Sequence, residues 1–278
     1  SSTPRGERLR KEHAVVNMAR RRAAVLGSPI VHSRSPQLHL AAYRALGLED
    51  WSYDRIDCTA EQLPGVVGGF GPEWVGVSVT MPGKFAALQF ADDATERATL
   101  VGSANTLVRT VAGWHADNTD IDGVVGALAG TSVSDRAVVV GSGGTAPAVV
   151  VGLVQLGAKH ITVAARNAEK AAPTVDLAIR CGAHAQWCDV GGAQQLADEV
   201  AETGVIVNTV PADAAARYAA TLALAPVLLD AIYDPWPTPL ASAVQAAGGH
   251  VISGLQMLLN QAFTQVEQFT GLPAPKEA

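Results

Sequence analysis

Residues 77–84 read VSVTMPGK. Four positions alternate as in a strand, Met-Pro-Gly breaks the pattern, and Lys84 follows. On its own Lys84 is either the charged tip of a turn or a proton donor. Two more polar residues stand at strand ends, Asn105 in SANT and Asp120 in NTD. Each alone suits a turn. Together the three suit a hydroxyl-bearing substrate, because a lysine and an aspartate can share a proton beside a reacting alcohol. HSRSPQLH, at 32–39, adds Ser33 and Ser35. Ser35 reads as a helix N-cap with Pro36 in the first helical position, which leaves Ser33 over. Two hydroxyls beside a helix N-terminus also make a carboxylate pocket. This stretch leaves capping and carboxylate binding both open.

A second constellation is VVVGSGGTAPA, which reads G-x-G-x-x-A at Gly141, Gly143 and Ala146, with Ser142, Gly144 and Thr145 completing the loop. It follows a strand and opens a helix, the context a dinucleotide fingerprint requires. Gly141 permits the turn, and Gly143 lets backbone approach a pyrophosphate at the helix N-terminus. An NAD site wants a carboxylate at the end of the next strand, for the ribose hydroxyl. That strand ends AARN, with Arg166, and the first carboxylate after it is Glu169. Arg166 and Lys170 suit a 2′-phosphate, for which guanidinium geometry is well matched. A cation at a helix start opposes the helix dipole, so a bound anion explains it better than solvent does. The expected cofactor is NADP.

The elements that must hold these residues alternate. Strand-like runs at 23–31, 51–58, 75–81, 136–144 and 160–166 are interleaved with amphipathic stretches, and GVIVNTV and APVLLDAIY are further strands. VGSANTLVRT and GWHADNTD read as a hairpin. The rhythm after Asp120 argues a parallel, doubly wound sheet. The expected fold is therefore α/β, with an N-terminal α/β part and a Rossmann-like doubly wound part after Asp120. SGLQ at 253–256 fits a capping box, which occupies Gln256. Gln261 flanks the apolar stripe of the same helix and has no such local task, so it is freer to face a site. Residues 1–22 are polar and basic, without the apolar centre of a signal peptide. They read as a disordered extension or an upstream start, since Met18 stands just before the first strand.

Composition narrows the function. The chain has 278 residues, a net charge of -6 and 48% hydrophobic residues. It can bury a sizeable core, and its acidity argues against nucleic acid as main partner. Three cysteines without C-x-x-C spacing suit a reducing, cytoplasmic setting. No metal-ligand spacing appears, and no apolar run is long enough to span a bilayer.

Nine short motifs in order, SPIVHSRSP, SVTMPGK, GSANT, DNTDIDG, GSGGTA, AARNAEK, NTVP, YDPWPTPL and GLQMLLNQA, make the chain resemble the shikimate dehydrogenases, in particular their actinobacterial branch. The resemblance implies two domains, an N-terminal α/β substrate domain over 23–120 plus 250–278 and a Rossmann-like NADP domain over 121–249, with an active site in the cleft between them. It implies reversible reduction of 3-dehydroshikimate to shikimate with NADPH, on the route to chorismate and aromatic amino acids, by a monomer or homodimer. By the same resemblance Ser33 and Ser35 hold the substrate carboxylate, assisted by Tyr233, and Thr80, Asn105 and Gln261 bind ring hydroxyls. Lys84 is the proton donor and acceptor, with Asp120 orienting it. The cofactor contacts are the loop from Gly141 to Ala146, Ala165, Arg166, Asn167, Lys170, Thr209 and the Gly254 backbone. Ser78 and Gly83 stand where many relatives carry Asn and Phe. A quinate or aminoshikimate dehydrogenase is the nearest alternative, and a non-catalytic metabolite-binding regulator is the alternative of another class.

Overall fold

The computed structural model describes residues 20–277. They form two compact units, one running through Thr119 and resuming at Ala262, the other Asp120–Gln261.

The first unit carries six strands: β1 Arg21–Gly27, β2 Trp51–Asp57, β3 Trp74–Val79, β4 Asp93–Ala94, β5 Thr106–Thr110 and β6 Gly113–Asp117. Their order is β2-β1-β3-β5-β6-β4. Strand β1 is parallel to β2 and β3, whereas β5 is antiparallel to β3 and β6. The two-residue strand period explains the unbroken apolar run of β1. Ala23 and Val25 pack with Tyr43, Tyr53 and Phe269 on one face, while Ala24 and Leu26 pack with Val77, Leu107 and Trp114 on the other.

The second unit is an all-parallel sheet of β7 Arg136–Val140, β8 His160–Ala165, β9 His184–Asp189, β10 Val205–Asn208, β11 Val227–Asp230 and β12 His250–Ser253. The order β12-β11-β10-β7-β8-β9 reverses direction at β7, the doubly wound arrangement expected from the sequence.

Three boundaries differ from expectation. The extension predicted over 1–22 ends earlier: residues 1–19 lie outside the described residues, but Arg21 and Arg22 belong to β1, paired with Trp51 and Ser52. Arg22 spreads its guanidinium 4.6 Å from the Trp74 ring centre and reaches Asp54 at 3.5 Å, so a basic side chain covers apolar surface while its charge stays wet. Residues 250–261 fall in the second unit rather than the first, because β12 pairs with β11 along its whole length. Strand β9, HAQWCD, has no apolar run to announce it; it is an edge strand with one neighbour and a half-exposed face.

Candidate active site

In the first unit the polar residues gather where β1, β3 and β6 end and β5 begins. The loop after β1 meets the loop after β3, where the Ser28 amide donates to the Met81 carbonyl at 3.1 Å and the Thr80 amide to the Leu26 carbonyl at 2.9 Å. The Ala104 amide donates to the Lys84 carbonyl at 2.9 Å, and the Val79 amide to the Asn105 carbonyl at 2.8 Å. Thus Thr80, Lys84 and Asn105 are tied by backbone to one end of one sheet.

Lys84 opens the helix Lys84–Phe90, whose start has no side-chain cap. A cation is a poor choice there, since the helix dipole presents positive charge at that end. Local structure therefore does not account for the lysine.

Ser35 does not have the capping task expected of it. The helix is Ser35–Ala45 and its cap position is Arg34, so Ser35 is the first helical residue and not the N-cap. The Ser33 hydroxyl instead accepts from the Ser35 amide at 3.4 Å, and Arg55 holds the Ser33 carbonyl through Nε at 3.0 Å and Nη2 at 2.6 Å. Ser35 is buried, close to the hydroxyl of Tyr53.

Asn105 is buried, 3% exposed. Its Oδ1 accepts from the Thr106 hydroxyl at 2.8 Å and the Thr119 amide at 2.7 Å, and its Nδ2 donates to the Thr119 hydroxyl at 2.8 Å. Asp117, just before Asn118-Thr119, is buried too. It accepts from Arg97 Nε at 2.8 Å and Nη2 at 2.7 Å, from the Thr95 hydroxyl at 2.8 Å and from Gln268 Nε2 at 2.7 Å. Burial pushes its carboxyl upward, but hydrogen bonds from Arg97, Gln268 and Thr95 and the Arg97 charge outweigh it and hold the pKa at about 2, against 3.8 when unfolded. Its folded value is depressed, so this anchor contributes stability above pH ~4 and loses it as pH falls toward ~2. Asp117→Asn should cost about 1–2 kcal/mol at neutral pH, allowing for the partly exposed guanidinium. Thermal melts from pH 6 to pH 2 should show the wild type losing that advantage. Parallel curves for wild type and variant would contradict this role.

In the second unit the cofactor residues likewise sit at the carboxyl ends of strands. Gly141, directly after β7, has φ +107°, and Thr209 Oγ1 lies where a Cβ would be, so only glycine fits. Thr209, after β10, is fixed by its hydroxyl on the Val140 carbonyl at 2.7 Å. Gly143 and Gly144 border open space, and the helix Ala146–Gln155 that follows has no side-chain cap. Open backbone beneath uncapped helix amides fits an anionic pyrophosphate. After β8, Ala165 is buried, and exposed Arg166 donates through Nε to the Tyr218 hydroxyl at 3.2 Å. Tyr218 carried no signal in the sequence, because 52 residues separate it from Arg166. Asn167 caps the helix Ala168–Arg180, accepting from the Glu169 amide at 2.9 Å and the Lys170 amide at 3.2 Å. Asn167 thus has a structural task beside any contact with a cofactor.

Buried Asp230 links the loops around this end. It accepts from the Thr238 hydroxyl at 2.7 Å, Asn208 Nδ2 at 3.1 Å and the Ile232 amide at 3.1 Å. Tyr233 lies in the loop so held, half-buried. Gly254 opens the last helix against the carbonyls of Asp230 and Ala231, where a side chain has no room. The Ser253 hydroxyl accepts from the Leu255 amide at 3.1 Å. Gln261, expected to have no local task, is 6% exposed and donates from Nε2 to the Leu258 carbonyl at 2.9 Å. Its helical neighbour therefore takes up part of its hydrogen-bonding capacity. Asp120 is buried at the start of the helix Asp120–Ala127, a favourable end for a carboxylate. Among the described residues no cluster of metal-binding side chains occurs, and no helix is long and apolar enough to cross a membrane.

Two family models match, the shikimate dehydrogenase substrate binding domain over residues 25–107 and the shikimate 5'-dehydrogenase C-terminal domain over 254–278. A shikimate dehydrogenase (NADP(+)) of Microcystis aeruginosa is 32% identical over 274 residues, spanning 94% of this chain and 95% of its own. The chain belongs to the shikimate dehydrogenase family. A solved shikimate dehydrogenase of Mycobacterium tuberculosis superposes with a TM-score of 0.89 at 70% identity, over 92% of this chain and 96% of that one. The shikimate 5-dehydrogenase of Thermus thermophilus, solved in complex with NADP(H) and shikimate, superposes with a TM-score of 0.77 at 30% identity, over 92% and 96%. The mycobacterial likeness agrees with the actinobacterial character of the motifs.

Proposed function

We propose that this chain reversibly reduces 3-dehydroshikimate to shikimate with NADPH, on the route to chorismate and the aromatic amino acids. The observation that carries the reading is the polar end of the first unit's sheet, where Thr80, Lys84 and Asn105 are tied together by backbone. NADPH, when bound, supplies the hydride. Lys84 gives the proton to the oxygen on carbon 3 in reduction and takes it back in oxidation, with Asp120 the carboxylate of the same catalytic pair. Ser33, Ser35 and Tyr233 hold the substrate carboxylate, and Thr80, Asn105 and Gln261 the ring hydroxyls. The loop from Gly141 to Ala146 and the Gly254 backbone receive the cofactor, Arg166 and Lys170 take its 2′-phosphate, and Ala165, Asn167 and Thr209 complete its wall. The arginine after β8 supports NADP over NAD, and the open glycine loop suits the pyrophosphate that both share.

The test is NADPH or NADH formation by purified protein with shikimate or quinate and either cofactor. NADP⁺ with shikimate should be fastest, by about tenfold or more over NAD⁺ with shikimate, since loss of the phosphate contacts forfeits charge-assisted hydrogen bonds. Quinate carries one further hydroxyl and should be the weaker substrate with NADP⁺. Equal rates with quinate would make the enzyme a dual-substrate one, and no turnover of shikimate with either cofactor would refute the reading.

A further inference from the structure

A buried chain of hydrogen bonds runs through the first unit to Asn105. The Tyr53 hydroxyl donates to Ser78 Oγ at 2.6 Å, and Ser78 Oγ donates to Gln265 Oε1 at 2.7 Å. Gln265 Nε2 donates to Thr106 Oγ1 at 2.9 Å and to the Asn105 carbonyl at 3.1 Å. Thr106 Oγ1 then donates to Asn105 Oδ1 at 2.8 Å. Tyr53, Ser78, Thr106 and Gln265 are each no more than 4% exposed.

Every proton in the chain has one direction to point. Burial raises the Tyr53 phenol well above its usual range, so it keeps the proton that it gives Ser78. Burial pulls His39 down to about 3 despite its bond to Gln265, so the ring is neutral and donates from Nε2 to Gln265 Oε1, 3.1 Å away. Gln265 therefore uses two donors and two acceptor sites, and its amide has one orientation. Aligned chains of this kind strengthen each member, and a missing member strands a buried polar group. At the far end Asn105 Oδ1 accepts two hydrogen bonds, which fix the orientation of its amide.

We propose that Gln265 is a positioning residue for the substrate, locking Asn105 directly and through Thr106, and itself held by Ser78, Tyr53 and His39. This rests on the reading of Asn105 as a substrate contact. Gln265 holds the site for a ring hydroxyl ready, so the ligand meets it already ordered.

The test is calorimetric titration of shikimate into wild type, Ser78→Ala, Asn105→Ala and the double variant, with NADP⁺ titrated separately and melting temperatures recorded. Ser78→Ala should weaken shikimate about fivefold, the loss expected for one buried hydrogen bond, and leave NADP⁺ unchanged. In the Asn105→Ala background it should cost less than twofold more, since residues acting through one another are not additive. Should Ser78→Ala not fold, Tyr53→Phe cuts the same chain by removing one oxygen and carries the same expectations. An unchanged shikimate affinity with a lowered melting temperature, or the full fivefold loss on top of Asn105→Ala, would reduce the chain to a structural element and overturn the assignment. Wild-type protein that binds no shikimate would instead refute the substrate reading, and this inference with it.

Discussion

Replacing Lys84 with alanine should lower kcat about a thousandfold and change KM for shikimate by less than threefold. A positioned acid or base contributes roughly 10²–10⁴ to the rate, and its loss falls on the transition state. Lys84 begins a helix without a side-chain cap, where its charge opposes the dipole, and its carbonyl is tied to the Ala104 amide beside Asn105. Its side chain is half-buried at the polar end of the sheet. Its charge opposes the helix dipole, and the proposed proton transfer gives a reason for a lysine there. Steady-state kinetics of Lys84→Ala with NADP⁺ and shikimate decide the matter. A variant with normal kcat and a raised KM would make Lys84 a binding residue.

Arg166→Ala should raise KM for NADP⁺ about 10- to 50-fold while leaving KM for shikimate and the rate with NAD⁺ nearly unchanged. Hydrogen bonds between charged partners are worth roughly 1.5–3 kcal/mol, and a guanidinium offers two in parallel to a phosphate. Arg166 stands exposed at the end of β8, steadied by the Tyr218 hydroxyl on Nε, so its terminal nitrogens can face a ligand. Lys in its place should restore only part of the affinity, because an ammonium is a point charge without the fork. Equal losses for NADP⁺ and NAD⁺ would show that the arginine serves the shared part of the cofactor.

The sequence made the second unit legible almost strand by strand. Its parallel strands are buried on both faces and read as continuous valine-rich runs, and the glycine loop marks where the sheet reverses. Its edge was the exception: HAQWCD pairs on one side only and needs no apolar run. In the first unit the residues of the polar end were legible one at a time from their motifs, but not their partners. Tyr53, Ser78 and Gln265 are 25 and 187 residues apart along the two links that join them. No spacing rule connects such positions. Ser78 in particular reads from sequence as a place where an amide is missing. In the fold its hydroxyl fills a gap between a tyrosine and a glutamine. Gln261 and Gln265 lie four residues apart on one helix, so periodicity gives them nearly the same face. Only the fold shows that the first bonds its own helix at Leu258 while the second orders a buried network. The serines at 33 and 35 teach the same lesson at shorter range, since a helix start shifted by one residue takes Ser35 out of the cap position and turns its amide to the Ser33 hydroxyl.

The central claim is that this chain joins 3-dehydroshikimate and NADPH in one reaction. The most direct measurement follows NADPH absorbance and shikimate formation together, with wild-type protein, 3-dehydroshikimate and NADPH. One shikimate should appear for each NADPH consumed. NADPH consumption without shikimate, or none at all, would contradict the account.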